Sequence, residues 1–301
     1  MSNQESVIAL DAGGTEIKAG LVRGSEILDF RRWPTERELG PEHARDQILS
    51  AAREMRAMHP TAKAVGLVVP GVVDADNGIA IYSENIKWRD VPFRELINEM
   101  TGLPVGFGHD VRAGGIAESR FGSGVGYVNS LFLPIGTGIC GAIIIDGELC
   151  EDIYVGEIGH MDVDSGYLCA CGSIGCLESI STGPSITRIY RERSGKSIVN
   201  SAEVLELAKS GDQIAKQVWQ DATNALAKAL FAYITILAPE VIVLGGGVSK
   251  AGADLIDPIE KYFDSKITIQ RRPLLKIAAL GDSAGMIGAG ILGSRKLEST
   301  P

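Results

Sequence analysis

Long apolar runs, cysteine and clustered positive charge are all scarce in this chain, and each scarcity removes a class of protein. No segment of the 301 residues reaches the ~18 uninterrupted apolar residues that a membrane helix needs. Met1 to Ser6 is polar and leads straight into an apolar run, without the basic start and small-residue cleavage site of a signal peptide. A cytoplasmic chain is therefore expected, with its five cysteines reduced. The formal net charge is -9. Nucleic-acid binding is disfavoured, because neutralising phosphates takes clustered Lys and Arg. The nearest basic stretch, Arg188, Arg191 and Arg193, is interrupted by Glu192 and reads as a solvated helix face. Two nucleotide motifs are also missing. Gly195-Lys196-Ser197 looks like the end of a P-loop, but Tyr190 stands where its first glycine belongs. In Gly245-Gly246-Gly247-Val248-Ser249-Lys250, Lys250 takes the third glycine position of a dinucleotide fingerprint.

What is present begins with length. A chain of 301 residues suggests two domains, and 45% apolar residues can bury a sizeable core. Val7 to Leu10, then Asp11-Ala12-Gly13-Gly14-Thr15, then Ile17 to Val22 reads as a hairpin turned by glycines. Leu131 to Ile145 repeats the pattern around Ile135-Gly136-Thr137-Gly138, so an internal duplication of domain size is expected. Helical spacing covers Glu42 to Met58, Phe93 to Met100, Val111 to Ser119 (weakened by Gly114 and Gly115), Ala202 to Lys209 and Asp212 to Ala238. Ala64 to Val69, Val105 to Phe107 and Val241 to Leu244 read as strands. Strands alternating with helices mean an α/β fold. The boundary between halves is expected near Glu118 to Gly126.

Three Gly-rich turns follow apolar strands: Gly13-Gly14-Thr15, Gly136-Thr137-Gly138 and Gly245-Gly246-Gly247. Glycine lets backbone N–H groups approach an anion without a Cβ in the way. Any one of them alone reads equally as a tight turn without a ligand. Asp11 ends the first strand beside two of these glycines, where a carboxylate either caps the turn or holds Mg²⁺, directly or through water.

The strongest local signal is His160 with Cys169, Cys171 and Cys176. Thiolates and imidazole are the usual ligands of structural zinc, and four of them close a tetrahedral site with no open position. Gly172 and Gly175 let the chain wrap so that the sulfurs converge. Cys140 and Cys150 fall outside the cluster and read as small core residues.

Together these motifs resemble the ROK family of sugar kinases and repressors, within the actin-like ATPase superfamily. Glu157-Ile158-Gly159-His160 is similar to the family's Glu-x-Gly-His element, and Cys169 to Glu178 to its zinc signature. The three glycine turns are similar to its two phosphate loops and to its strand-end loop beside adenosine. The resemblance implies a two-domain actin-like ATPase fold, ribonuclease H-like, with a duplicated strand-rich α/β core. It implies a smaller N-terminal domain over 1–118, completed by a C-terminal helix at 286–301, and a larger domain over 119–285. ATP and a hexose would be the substrates, Mg²⁺ and structural zinc the metals, and a homodimer or homotetramer the assembly. Asp110 resembles the catalytic base. Asn85, Glu157, His160 and Glu178 resemble contacts to sugar hydroxyls. The family usually has Asn-Asp where this chain has His109-Asp110, which changes a sugar contact and puts the sugar's identity in doubt.

The expected reaction is therefore phosphorylation of a hexose hydroxyl by ATP, with Asp110 taking the hydroxyl proton. Asp110 reads independently as a helix N-cap before Val111, and both roles hold together. Glucose is the default acceptor; N-acetylmannosamine, N-acetylglucosamine and fructose are alternatives. A sugar-responsive repressor is disfavoured, since a first strand at Val7 leaves no room for an N-terminal DNA-binding domain. A non-catalytic sugar-sensing regulator is disfavoured by the presence of both Asp11 and Asp110.

Overall fold

Two five-stranded sheets carry the chain, and each grows from a glycine-turned hairpin. The structure, a computed structural model, describes residues 5–298; the end of the helix expected over 286–301 lies outside them. Strand β1 (Val7–Ala12) pairs antiparallel with β2 (Glu16–Arg23), and β2 with β3 (Glu26–Pro34). Helix α1 (Pro41–Met58) crosses to β4 (Ala64–Val69), which lies parallel to β1. A small sheet of β5 (Val72–Asp74), β6 (Ile79–Tyr82) and β7 (Arg89–Val91) follows. Helix α2 (Phe93–Thr101) then leads to β8 (Val105–His109), parallel to β4, and to α3 (Asp110–Phe121).

The second half repeats this plan. Strands β9 (Ser130–Pro134) and β10 (Ala142–Ile145) form the hairpin, with β11 (Glu148–Leu149) at the sheet edge. Four helices intervene: α4 (Glu178–Ser181), α5 (Gly183–Ser194), α6 (Ser201–Lys209) and α7 (Gln213–Leu237). Strand β12 (Val241–Gly245) lies parallel to β9; α8 (Gly246–Ser249) and α9 (Ala253–Lys266) lead to β13 (Leu274–Ile277), parallel to β12. Helix α10 (Ala284–Glu298) is last. The orders β3-β2-β1-β4-β8 and β11-β10-β9-β12-β13 put equivalent strands at equivalent places. The likeness of the two hairpins is thus a duplication of topology.

The described residues divide into two compact units. One holds the chain up to Gly122, Leu149–Val155 and the chain from Asp282; the other holds Ser123–Glu148 and Gly156–Gly281. In the first unit the central strands are buried on both faces, as parallel strands are. Ile8, Leu10 and Leu67 face α1 and α2, packing with Ile48, Phe93 and Ile97. Ala9 and Val68 face the other way, onto Ala113, Met286 and Ala289. Each large apolar side chain buried this way contributes ~1.5–3 kcal/mol.

Helix α10 lies directly on the sheet because two strand positions lack a side chain. A Cβ on Gly66 would stand 1.8 Å from the Ala289 carbonyl oxygen, and one on Gly106 2.2 Å from that of Leu292. The same helix packs on α3, where a Cβ at Gly288 would meet the Ala113 carbonyl oxygen at 2.2 Å. That buried packing carries α3 unbroken through Gly114 and Gly115, a cost of ~1 kcal/mol each in an isolated helix. In the second unit, Pro258 sits inside α9 and has no N–H to give the Asp254 carbonyl. The Trp219 indole donates to that carbonyl instead, at 3.0 Å.

Candidate active site

The chemistry of the first unit collects where its parallel strands end. Gly13 donates to the Glu16 carbonyl at 2.9 Å and closes the β1–β2 turn. Thr35 pins the turn from outside, its hydroxyl donating to the Gly13 carbonyl at 2.8 Å and its N–H to that of Thr15 at 2.9 Å. Nothing in the local sequence pattern singles out Thr35. Asn85 comes to this turn: a Cβ on Gly14 would stand 3.4 Å from the Asn85 Cβ.

Asp11, mostly buried at the end of β1, faces a second carboxylate. Burial pushes its carboxyl up to about 7, and the negative charge of Asp110 adds to the shift. Lys18 opposes it, with Nζ 3.9 Å from Asp11 Oδ2. Two hard oxygen donors that repel one another are a donor set suited to Mg²⁺.

Asp110 is the first residue of α3. Its Oδ1 accepts from the Val111 N–H at 2.7 Å, and His109 Nδ1 accepts from the same N–H at 3.2 Å. The N-cap of α3 is therefore His109, which corrects the reading of Asp110 as the cap: Asp110 is already the first helical residue, and its carboxylate contacts only the next N–H. His109 is 7% exposed. His109 Nδ1 also lies 3.2 Å from Asp110 Oδ1.

The second unit carries the other two glycine turns, packed on one another. Ile135 donates to the Gly245 carbonyl at 2.9 Å, and Val248 to that of Ile135 at 3.1 Å. Gly246 has φ +76°, and a Cβ there would stand 2.5 Å from the Ile135 carbonyl oxygen, so only glycine makes this approach. A cavity of about 480 Å³ opens on these turns, lined by Gly136, Thr137, Gly247 and Asn200. Arg188 and Arg191 of α5 also line it. The Arg188 guanidinium is engaged by Glu192 and the Ser179 carbonyl and that of Arg191 by the Ile198 carbonyl, and with Arg193 paired to Asp221 the stretch keeps the largely exposed, solvated face expected of it. Gly195 is the left-handed C-cap of α5 and Lys196 pairs with Asp212 at 2.8 Å, in keeping with the rejected P-loop.

Glu178 opens α4 just past the last cluster cysteine, and its Oε2 accepts from the Ile139 N–H at 2.9 Å. His160 closes a short turn over Ile158–His160, and its Nε2 lies 4.0 Å from Glu157 Oε2. Glu157 and His160 are both substantially exposed.

His160, Cys169, Cys171 and Cys176 bring their donor atoms within 4.8 Å of one another. Cys171 Sγ and Cys176 Sγ are 3.7 Å apart, and Cys169 Sγ is 3.8 Å from His160 Nδ1. A tetrahedron with metal–sulfur bonds of ~2.3 Å has edges of ~3.8 Å, so the spacing suits a tetrahedral metal. Gly172 and Gly175 take φ of +92° and +103°, the wrap expected of them. Burial pushes the Cys176 thiol up to about 12 and raises that of Cys169. A backbone hydrogen bond from Ser173 leads in lowering Cys171 to about 7. Cys140 and Cys150 are only half-buried, which corrects their reading as core residues. Cys140 lies in the loop between β9 and β10, and Cys150 in the irregular segment after β11.

A model of the ROK family matches residues 7–296. A glucokinase of Halalkalibacterium halodurans is 34% identical over 95% of this chain and 94% of its own length. A ROK hexokinase structure from Thermus thermophilus superposes with a TM-score of 0.83 at 30% identity, covering 98% of this chain and 100% of its own. A ROK family glucokinase from Streptomyces griseus, solved with glucose and AMPPNP, gives a TM-score of 0.81 at 31% identity over 96% and 99%.

Proposed function

The chain belongs to the ROK family, and we propose from that premise that its acceptor is glucose and that Asp110 is the general base. It is an ATP-dependent hexose kinase with the actin-like ATPase fold. The observation that carries the assignment of the base is Asp110 itself. Its carboxylate stands at a strand-to-helix junction with one oxygen engaged by the Val111 N–H and the other left to a substrate.

The chemistry follows from these parts. As the hexose hydroxyl oxygen bonds to the γ-phosphorus, the bond from that phosphorus to the β–γ bridging oxygen breaks and ADP leaves. The hydroxyl proton passes to Asp110. The backbone N–H groups of Gly13-Gly14-Thr15 and Gly136-Thr137-Gly138 orient phosphates, and the Gly245-Gly246-Gly247 turn borders the adenosine. Asn85, His109, Glu157, His160 and the second oxygen of Glu178 meet sugar hydroxyls. Asp11 would hold Mg²⁺ through water. When bound, this ion neutralises charge on the phosphates. His160 Nδ1 and the three sulfurs would hold zinc, which shapes the segment from Glu157 to Glu178. A cytoplasmic location and a homodimeric or homotetrameric assembly belong to the same reading, supported by the reduced-thiol ligand set and the family.

Coupled ADP release over a panel of hexoses with Mg-ATP tests this. Glucose should give the highest kcat/KM. A panel in which no hexose raises ADP release above the sugar-free rate would overturn the assignment, and a preference for N-acetylmannosamine or fructose would replace the acceptor.

A further inference from the structure

A cavity of about 260 Å³ lies within the first unit beside β8, the last strand of its sheet. Four cationic residues line it, Arg94, Arg112, Arg295 and Lys296, against two acidic ones, Asp76 and Glu151. Glu151 is already engaged by Arg295 at 3.3 Å. Arg112 is 6% exposed and gives Nη2 to the Ile153 carbonyl at 2.8 Å. Arg94 gives its terminal nitrogens to the carbonyls of Asp76 and Ala75. These acceptors are neutral. The Nε–H groups of both arginines are buried without an acceptor, and among the described residues neither guanidinium forms an ion pair. Buried donors of this kind are nearly always satisfied, most demandingly when they carry charge. Burial also pulls the Arg94 guanidinium below its ordinary range, with Asp76 and Asp74 only partly restoring it.

We propose that this cavity is a second, non-catalytic site that binds a small phosphate monoester. Its phosphate lies on Arg112 and Arg94, and its carbon portion against Phe107, Ile116 and Leu292. The two guanidinium groups without an ion pair suit a dianion, since guanidinium forks match phosphate oxygens. The volume lies below the ~300–1,000 Å³ of pockets for drug-sized ligands, which limits the occupant to a small molecule. No residue assigned to phosphoryl transfer is used, although His109 forms part of the wall.

Hydrogen–deuterium exchange on the full chain, titrated with phenyl phosphate and with inorganic phosphate, tests the proposal. Phenyl phosphate should give saturable protection in peptides covering 105–108, 111–117 and 292–296. Arg295→Glu should weaken that binding at least ~10-fold while basal ADP release stays unchanged. Arg94→Gln, outside α3 and α10, should weaken it similarly. Inorganic phosphate should bind more weakly than phenyl phosphate; equal binding would remove the carbon subsite and overturn the monoester assignment. Protection confined to peptides over 13–15 and 136–138 would place phosphate only in the catalytic machinery and overturn the proposal. So would cavity protection that is indifferent to Arg295→Glu and Arg94→Gln.

Discussion

The Glu178 carboxylate accepts a hydrogen bond from the Ile139 amide at 2.9 Å, tying the segment after the cysteine cluster to the loop that turns the second hairpin. The approach is close enough that a Cβ on Gly138 would stand 2.8 Å from Glu178 Oε2. Removing the carboxylate should therefore disturb both substrates. In Glu178→Ala the KM for ATP and for the hexose should each rise ~10-fold, the scale of one hydrogen bond to a charged group. Glu178→Gln keeps an acceptor for Ile139 and should raise chiefly the hexose KM. Steady-state kinetics with each substrate varied separates the two, and an unchanged ATP KM in Glu178→Ala would rule out the tie as a functional one.

Asp110→Asn keeps an oxygen to accept from Val111 and leaves the cap of α3, made by His109, in place. It removes the base. Turnover should fall ~10²–10⁴-fold with hexose binding still measurable by calorimetry. A kcat within ~3-fold of the unaltered protein would mean that the proton goes elsewhere.

Metal uptake by the cysteine cluster should release protons. With Cys176 pushed up to about 12 and Cys169 also raised, both thiols are protonated at neutral pH, while Cys171 at about 7 is half ionised. Coordination needs thiolates, so binding zinc at pH 7 should release about two to three protons and weaken as pH falls. Calorimetry in buffers of different ionisation enthalpy counts them. Elemental analysis of the purified protein should find one zinc per chain, and Cys171→Ser should lose it together with much of the folding stability. A zinc-free protein that is folded and active would overturn this.

Asp11 gives the metal-free protein a pH dependence of definite sign. Its folded carboxyl at about 7 lies above the ordinary 3.8, so the folded state holds the proton more tightly. The associated stability is complete below pH 3.8 and is lost as pH rises through 7. Asp11→Asn should remove that decline: without Mg²⁺, its Tm should exceed that of the unaltered protein at pH 8 and not at pH 4. The same variant should lose ~10²-fold or more in kcat, since neutralising phosphate charge supplies several kcal/mol. Parallel Tm curves across pH would contradict the shift.

His109 divides its ring between a cap and a cavity wall. His109→Ala should cost ~1 kcal/mol through the lost cap, whereas Asn caps as well and should cost only a few tenths. If Nε2 meets the sugar, His109→Asn should shift relative kcat/KM between hexoses by ~10-fold. An unchanged ranking would confine His109 to the cap.

Features set by short spacing were legible before folding. The cysteines crowd into eight residues with glycines between them, and the two Gly-Thr hairpins announced matching sheets. The 25-residue α7, capped by Asp212, follows its apolar period almost to the residue. What escaped depends on partners far along the chain. Thr35 reaches Gly13 across 22 residues. Cys140 and Cys150 were misread because residue type alone says nothing about how near the surface a connecting segment runs. Strand β8 extends past Phe107 to His109 because its pairing with β4 continues to Val69, through glycines that strand propensity penalises.

Helix α10 has a consequence for synthesis on the ribosome. The strands it covers, with Gly66 and Gly106 beneath the Ala289 and Leu292 carbonyls, are made before the second unit, while their cover is made after it. The residues of the second unit, Ser123–Glu148 and Gly156–Gly281, are complete before it. The usual order, in which the N-terminal domain folds first during translation, is therefore reversed. The half of the protein made first waits, with one face of β1, β4 and β8 uncovered, until α10 has been made, and a nonsense codon anywhere before Ala284 strands it there.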